Sequence, residues 1–218
     1  MENSLGSGNQ PQRSDKEKMI RGSAWMTAGS VFSRILGAIY VIPWRIWLGA
    51  AFLTANALFT KGYQIYSLFL IISTAGVPGA VSKQVARYNA MGEYKTGMRL
   101  FYHGTFAMVL MGIVSCGAMW LLSPLLAAGD ARMIPVFRSL AWPLLLIPSL
   151  SLIRGLFQGY NEMAPSAISQ FIEQVARILY MLVMTYAIMV AGNHSYLSAV
   201  IHSTFAAFIG AVFGLGLL

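Results

Sequence analysis

Charge is what this sequence has least of. Lys, Arg, Asp and Glu supply 10% of 218 residues, where a soluble domain carries about 25%, so the chain cannot coat a globule of its size in water. Acids are scarcer than bases, seven against fifteen, and there are three histidines. Catalysis by clustered carboxylates or imidazoles needs more than this: His103, His194 and His202 are scattered and no metal-ligand spacing joins them to the acids. The expectation is therefore a protein that is not an enzyme and has no cofactor. The lone cysteine, Cys116, sits in an apolar run and cannot make an intrachain disulfide, which leaves packing as its role. A net charge of +8 is present, but no exposed basic stripe interleaved with aromatics accompanies it, and a nucleic-acid partner is not expected.

Apolar residues are abundant instead, at 57%, with a mean hydropathy of +0.63. A membrane span takes about 20 apolar residues, and the blocks divide into six, which makes the expected fold an all-α integral membrane bundle. The spans fall at about 19–48, 52–86, 97–127, 133–157, 165–191 and 195–218. Together they form one transmembrane lobe over 19–218, preceded by a polar tail over 1–18 with the composition of a disordered segment. The chain stops in an apolar run, GLGLL, which reads as a protein cut short after its sixth helix.

Orientation follows from the stretch STAGVPGAVSKQVARYNAMGEY, residues 73–94, where an apolar span opens into a basic connection. Gly76 and Pro78 interrupt the helix there and mark a hinge or cavity wall. Arg13, Lys16, Lys18, Arg21, Lys83, Arg87, Lys95, Arg99 and Arg154 fall on one side of the six spans; Arg45, Arg132 and Arg138 fall on the other. The excess of positive charge assigns the first side, with both termini, to the cytoplasm of a cell-membrane protein.

A few polar residues lie inside spans, where each needs a reason. Arg34 is near the middle of the first span and must face protein or water, either as a cavity-lining cation for an anionic substrate or as a structural group held by carbonyls. Further on, Pro43 kinks the helix, Trp44 and Trp47 read as an interfacial belt, and Arg45 snorkels. Asn56, Lys61, Gln64 and Tyr66 make the second span polar, and Lys61 and Gln64, three apart, share a face that lines a cavity unless Lys61 snorkels outward. Glu173 and Arg177 are four apart on one helix and can pair, as a structural element or as one that responds to ions. Pro135, Pro143 and Pro148 crowd the fourth span, a density that predicts bends, allows 3₁₀ turns, and marks Pro143 and Pro148 as further hinges. Small residues recur at Gly29, Ser33 and Gly37, and at Ala206, Gly210 and Gly214, as ridges for close helix contact.

Three ordered blocks, SRILGAIYVIPW (33–44), STAGVPGAVSKQVARYNAMGEYK (73–95) and RGLFQGYNEMAPSAISQFIEQVAR (154–177), resemble the polysaccharide-biosynthesis and stage V sporulation protein B-like group of Gram-positive bacteria. That group includes lipid II flippases, within the superfamily of multidrug, oligosaccharidyl-lipid and polysaccharide transporters. The resemblance implies a flippase that moves an undecaprenyl-linked oligosaccharide, such as the peptidoglycan precursor, between leaflets by alternating access. It implies two facing six-helix lobes around a cationic cavity, with Arg34 at the position of a cavity arginine. The partners would be the lipid-linked substrate, membrane lipids, and a second lobe or partner subunit that this chain does not contain. A cation-coupled drug exporter of the same superfamily, and a half-protein that does not itself transport, are the alternatives.

Overall fold

The computed structural model describes residues 20–218 except 21–23, 25, 26, 30, 33 and 193. The expected tail over 1–18 and Ser33 of the first small-residue ridge lie outside the described residues. Helical residues 34–39 lead through a turn at Tyr40 into α1 (Val41–Leu48). A 3₁₀ turn, Gly49–Ala51, precedes α2 (Phe52–Thr74), and the chain continues as α3 (Val77–Ala90), α4 (Tyr94–Leu126), α5 (Met133–Gly159), α6 (Met163–Met189) and α7 (Tyr196–Gly216). Among the described residues there is no strand.

Among the described residues, five helical stretches are long and apolar enough to cross a membrane, and the first of them runs from Thr27 to Ala90. At 1.5 Å per residue that stretch would extend roughly 96 Å, about three bilayer cores, so it has to fold back. It does so at the 3₁₀ turn, where Gly49 takes a φ of 51°. The Trp44 ring meets Phe52 at 5.7 Å and Phe59 at 5.4 Å, which makes α1 and α2 the antiparallel arms of a hairpin. Six arms result, in an all-α membrane bundle of the expected kind.

The second arm is broken where the sequence places Gly76 and Pro78. Ala75 and Gly76 are both left-handed, at φ 40° and 73°. Pro78 then occupies the first turn of α3, where its missing N–H is harmless. The Ser73 and Thr74 hydroxyls add to the break by donating to the Leu70 carbonyl, each at 2.9 Å, in competition with the helical ladder. A helix expected to run over 52–86 is thus two.

The hub is α5, which packs against α2, α3, α4, α6 and α7. It remains one α-helix through Pro143 and Pro148, without the 3₁₀ turns that its prolines allow. Gly112 brings the α4 backbone against α5 at this point, so close that a Cβ there would lie 3.1 Å from the carbonyl oxygen of Leu144, the acceptor that Pro148 leaves unfilled. Phe137, Leu140, Leu144 and Met133 fill one end of the bundle with Trp44, Leu48, Leu58 and Met119, while Val81, Val85, Met108 and Leu152 form a smaller core toward the other.

Hydroxyl groups cross-link the centre. Trp44 donates from Nε1 to Ser203 Oγ at 3.2 Å, Ser203 lies 3.3 Å from the Thr185 hydroxyl, and Ser139 and Thr204 are 2.6 Å apart. Trp44 is only 2% exposed, so it belongs to the core and not to the interfacial belt expected of it. A buried indole N–H needs an acceptor, and α7 supplies one.

Candidate functional site

The outward arc of α2 is polar in the middle of an apolar helix. Asn56, Thr60, Lys61, Gln64 and Ser67 are all exposed, while Ala55, Leu58, Gly62 and Tyr66 turn inward onto α5 and its neighbours. Tyr66, grouped with Lys61 and Gln64 by sequence, is 5% exposed and lies on the other side of the helix. Lys61 lies about 14 Å and Gln64 about 18 Å along α2. Gly62 packs against Val136 and Leu140 in the first turns of α5, and the Lys61 charge reaches Asp130 in the connection before that helix. Lys61 therefore stands toward that end of the span, with Gln64 and Ser67 deeper in the hydrocarbon core. A face of this polarity at that depth is stable against protein or water and not against lipid.

Arg34 is exposed too. Carrying on the pairing of Trp44 with Phe59 puts it level with about residue 69 of α2, roughly 12 Å along the axis from Lys61 at 1.5 Å per residue. The two cations stand on one hairpin at different depths.

Behind the hairpin lies α6. Arg177 donates to Tyr63 Oη at 2.8 Å, tying α6 to α2. Glu173 makes its ion pair with Arg154 of α5, Nη2 to Oε2 at 2.7 Å, and not with Arg177 as the i, i+4 spacing suggests. Ser169, one turn before Glu173, accepts from Arg154 at 2.8 Å and donates to the Gly214 carbonyl at 2.7 Å, so one polar cluster joins α5, α6 and α7. Small residues make room for it: a Cβ on Gly210 would meet the Glu173 carbonyl oxygen at 2.7 Å, and one on Gly214 would meet Arg154 Nη2 at 3.1 Å. The first ridge meets the same helix, Gly29 opposite Ala167 and Gly37 opposite Gln174. An apolar cavity of about 250 Å³ lies there, lined by Ala28, Gly29, Phe32, Ala167, Ile168 and Phe171.

Outside the spans, in the connection from α4 to α5, Asp130 accepts from Arg132 Nε at 2.9 Å and Nη2 at 3.0 Å. These hydrogen bonds hold the Asp130 carboxyl below the usual carboxylate range and raise Arg132 in turn. Among the described residues no three His, Cys, Asp or Glu side chains converge.

Spacing within one helix found Lys61 with Gln64. Thr60 and Ser67 of the same arc give a weaker signal, since hydroxyls are common in membrane helices. The partnerships of Arg154 with Glu173 and of Arg177 with Tyr63 join residues 19 and 114 positions apart, and no local pattern announces them.

A multi-helix bundle with a buried polar clasp among α5, α6 and α7 and an exposed polar face on α2 defines a polytopic membrane protein. The chain belongs to the polysaccharide biosynthesis protein family, whose model matches residues 19–218. It is 39% identical over 212 residues, 92% of its length, to the lipid II flippase MurJ of Bacillus subtilis (strain 168), and covers 38% of that protein. Stage V sporulation protein B of the same organism is 26% identical over 193 residues, 85% of this chain and 37% of the relative. An uncharacterized membrane protein, YabM, is 26% identical over 178 residues, 81% of this chain and 32% of its own length. The chain thus spans between about a third and two fifths of the curated relatives it matches. No solved structure gives a significant match.

Proposed function

We propose that this chain is one lobe of a flippase that carries an undecaprenyl-linked cell-wall or polysaccharide precursor, lipid II or a near relative, across the cell membrane by alternating access. The observation that carries the reading is the polar outer arc of α2, which is unfavourable against lipid and suited to a hydrated path between two lobes. Arg34 and Lys61 attract the pyrophosphate of such a substrate, and Gln64 offers hydrogen bonds to sugar or phosphate oxygens. The second lobe comes from further chain or a partner subunit. Both termini of the lobe face the cytoplasm, by the bias of Lys and Arg among its connections. Gly76 and Pro78 give the second arm a hinge, Pro143 and Pro148 give α5 a place to flex, and the Arg154, Glu173 and Arg177 contacts keep α5, α6 and α2 together while the lobe moves. An exporter of cationic drugs would want an unpaired acid on the open face. The carboxylate within the described spans, Glu173, is instead bound to Arg154.

Complementation tests this reading. In cells depleted of their own lipid II flippase, the chain extended to the length of its relatives should restore growth, and the extended Arg34→Ala variant should lose at least tenfold in rescue at equal protein level. Failure of the extended, correctly inserted protein to rescue would remove lipid II as the substrate.

A further inference from the structure

The lobe's unpaired positive charge collects at the α3–α4 hairpin. A Cβ on Gly97 would sit 3.5 Å from the Tyr88 Cβ, so the two helices lie side by side, reversed through the short turn between Ala90 and Tyr94. In that register Lys83 is level with about residue 102 and Arg87 with about residue 98, each within roughly one turn of Arg99 along the axis. Lys83, Arg87, Lys95 and Arg99 are all exposed. The described residues contain two side-chain ion pairs, and none of these four cations is in either.

Their height in the membrane follows from helix length. With 33 residues, α4 is about 50 Å long, while the hydrocarbon core is about 30 Å. The apolar run of α4 occupies 106–126, enough to cross by itself, and the segment YKTGMRLFYHGT (94–105) stands beyond it. The four cations therefore lie roughly 6 to 17 Å past the hydrocarbon edge, in the headgroup layer and within about one Debye length above it. Tyr102 and Tyr94, 65% and 60% exposed, flank them with amphipathic rings of the kind that prefer that depth. The surface is held firmly: Val81 and Val85 are buried, and Gly155 and Gly159 let the α3 backbone touch α5.

We infer that this face docks the headgroups of anionic glycerophospholipids. Lys83 and Arg99 reach the phosphate level, and Arg87 and Lys95 add attraction from just above it. The unpaired charge, the interfacial rings and the depth favour a lipid phosphate over a soluble partner, and the inference depends on membrane insertion alone, whatever the lobe transports.

The test uses the chain in nanodiscs containing equal phosphatidylglycerol and phosphatidylcholine, with protein-bound lipid read by native mass spectrometry. The wild type should retain phosphatidylglycerol over phosphatidylcholine at least tenfold, since one surface cation is worth about fivefold. The variant Lys83→Gln/Arg87→Gln/Lys95→Gln/Arg99→Gln should fall to near parity with unchanged helix content. Arg45→Gln/Arg138→Gln, at the opposite end of the bundle, should keep the preference. Should the fourfold variant fail to fold, Lys83→Gln/Arg87→Gln and Lys95→Gln/Arg99→Gln are to lower the preference separately. A preference that survives these changes, falls equally in the Arg45 and Arg138 control, or is displaced by millimolar inorganic phosphate would overturn the inference.

Discussion

Arg154 and Glu173 illustrate how a charged pair is made tolerable inside a membrane bundle. Their side chains are 14% and 20% exposed, their contact is 2.7 Å, and Ser169 takes a further guanidinium hydrogen bond. Removing one partner leaves the other charged and poorly solvated, so Arg154→Ala or Glu173→Ala should each lower stability by about 3 kcal/mol. The double variant should lose less than the sum of the two. Thermal unfolding in detergent across the four proteins measures the coupling, and additive losses would show that the pair is not a unit. At this scale the sequence was partly legible. Polar residues inside apolar runs identified themselves, Arg34, Lys61, Gln64, Glu173 and Arg177 among them, because lipid makes each one anomalous. Their partners were not legible: Glu173 has Arg177 one turn away on its own helix, yet the clearance at Gly210 and Gly214 admits Arg154 from α5 instead.

At the scale of elements, close backbone contact decides how α3, α4 and α5 sit. A Cβ at Gly155 would come 2.7 Å from the Pro78 carbonyl oxygen, whereas nothing lies within 4 Å of the corresponding position at Gly117. Gly155→Ala should therefore destabilise by about 1–3 kcal/mol through forced separation of α3 and α5. Gly117→Ala should stabilise slightly, by up to about 1 kcal/mol, through helix propensity. Equal melting shifts for the two would contradict the packing. The connection from α4 to α5 has a pH signature of its own. Hydrogen bonds from Arg132 depress the folded pKa of Asp130, so their contribution is complete above the unfolded value near about 3.9 and disappears as pH falls through the lower folded value. The difference in melting temperature between wild type and Asp130→Asn should be constant from about pH 5 to 8 and shrink toward zero below about pH 3. A difference that grows on acidification would reverse the sign. Gly76 with Pro78 was readable as a break because a glycine and a proline two residues apart interrupt the helical ladder; that Ala75 also turns left-handed was not. Pro143 and Pro148 leave α5 a continuous α-helix without the 3₁₀ turns they allow, because whether a proline breaks a helix depends on the packing around it and not on the proline alone.

For the whole molecule, hydropathy sufficed to foresee an all-α membrane bundle, because lipid demands that each span satisfy its own backbone. The reversal at Gly49–Ala51 was visible as a boundary between spans. What composition could not convey is which face of each helix remains open, since that depends on how the others pack. The central claim rests on such a face, the outer arc of α2. Cysteine scanning in the inserted, full-length protein tests it most directly. In a Cys116→Ala background, cysteines at Thr60, Lys61, Gln64 and Ser67 should react with a membrane-impermeant maleimide. Cysteines at Leu110, Val114 and Leu121, exposed on α4, should remain unlabelled in lipid. Labelling along α2 at least tenfold above the α4 positions is the result expected of a hydrated path; labelling no greater than at the α4 positions would contradict it.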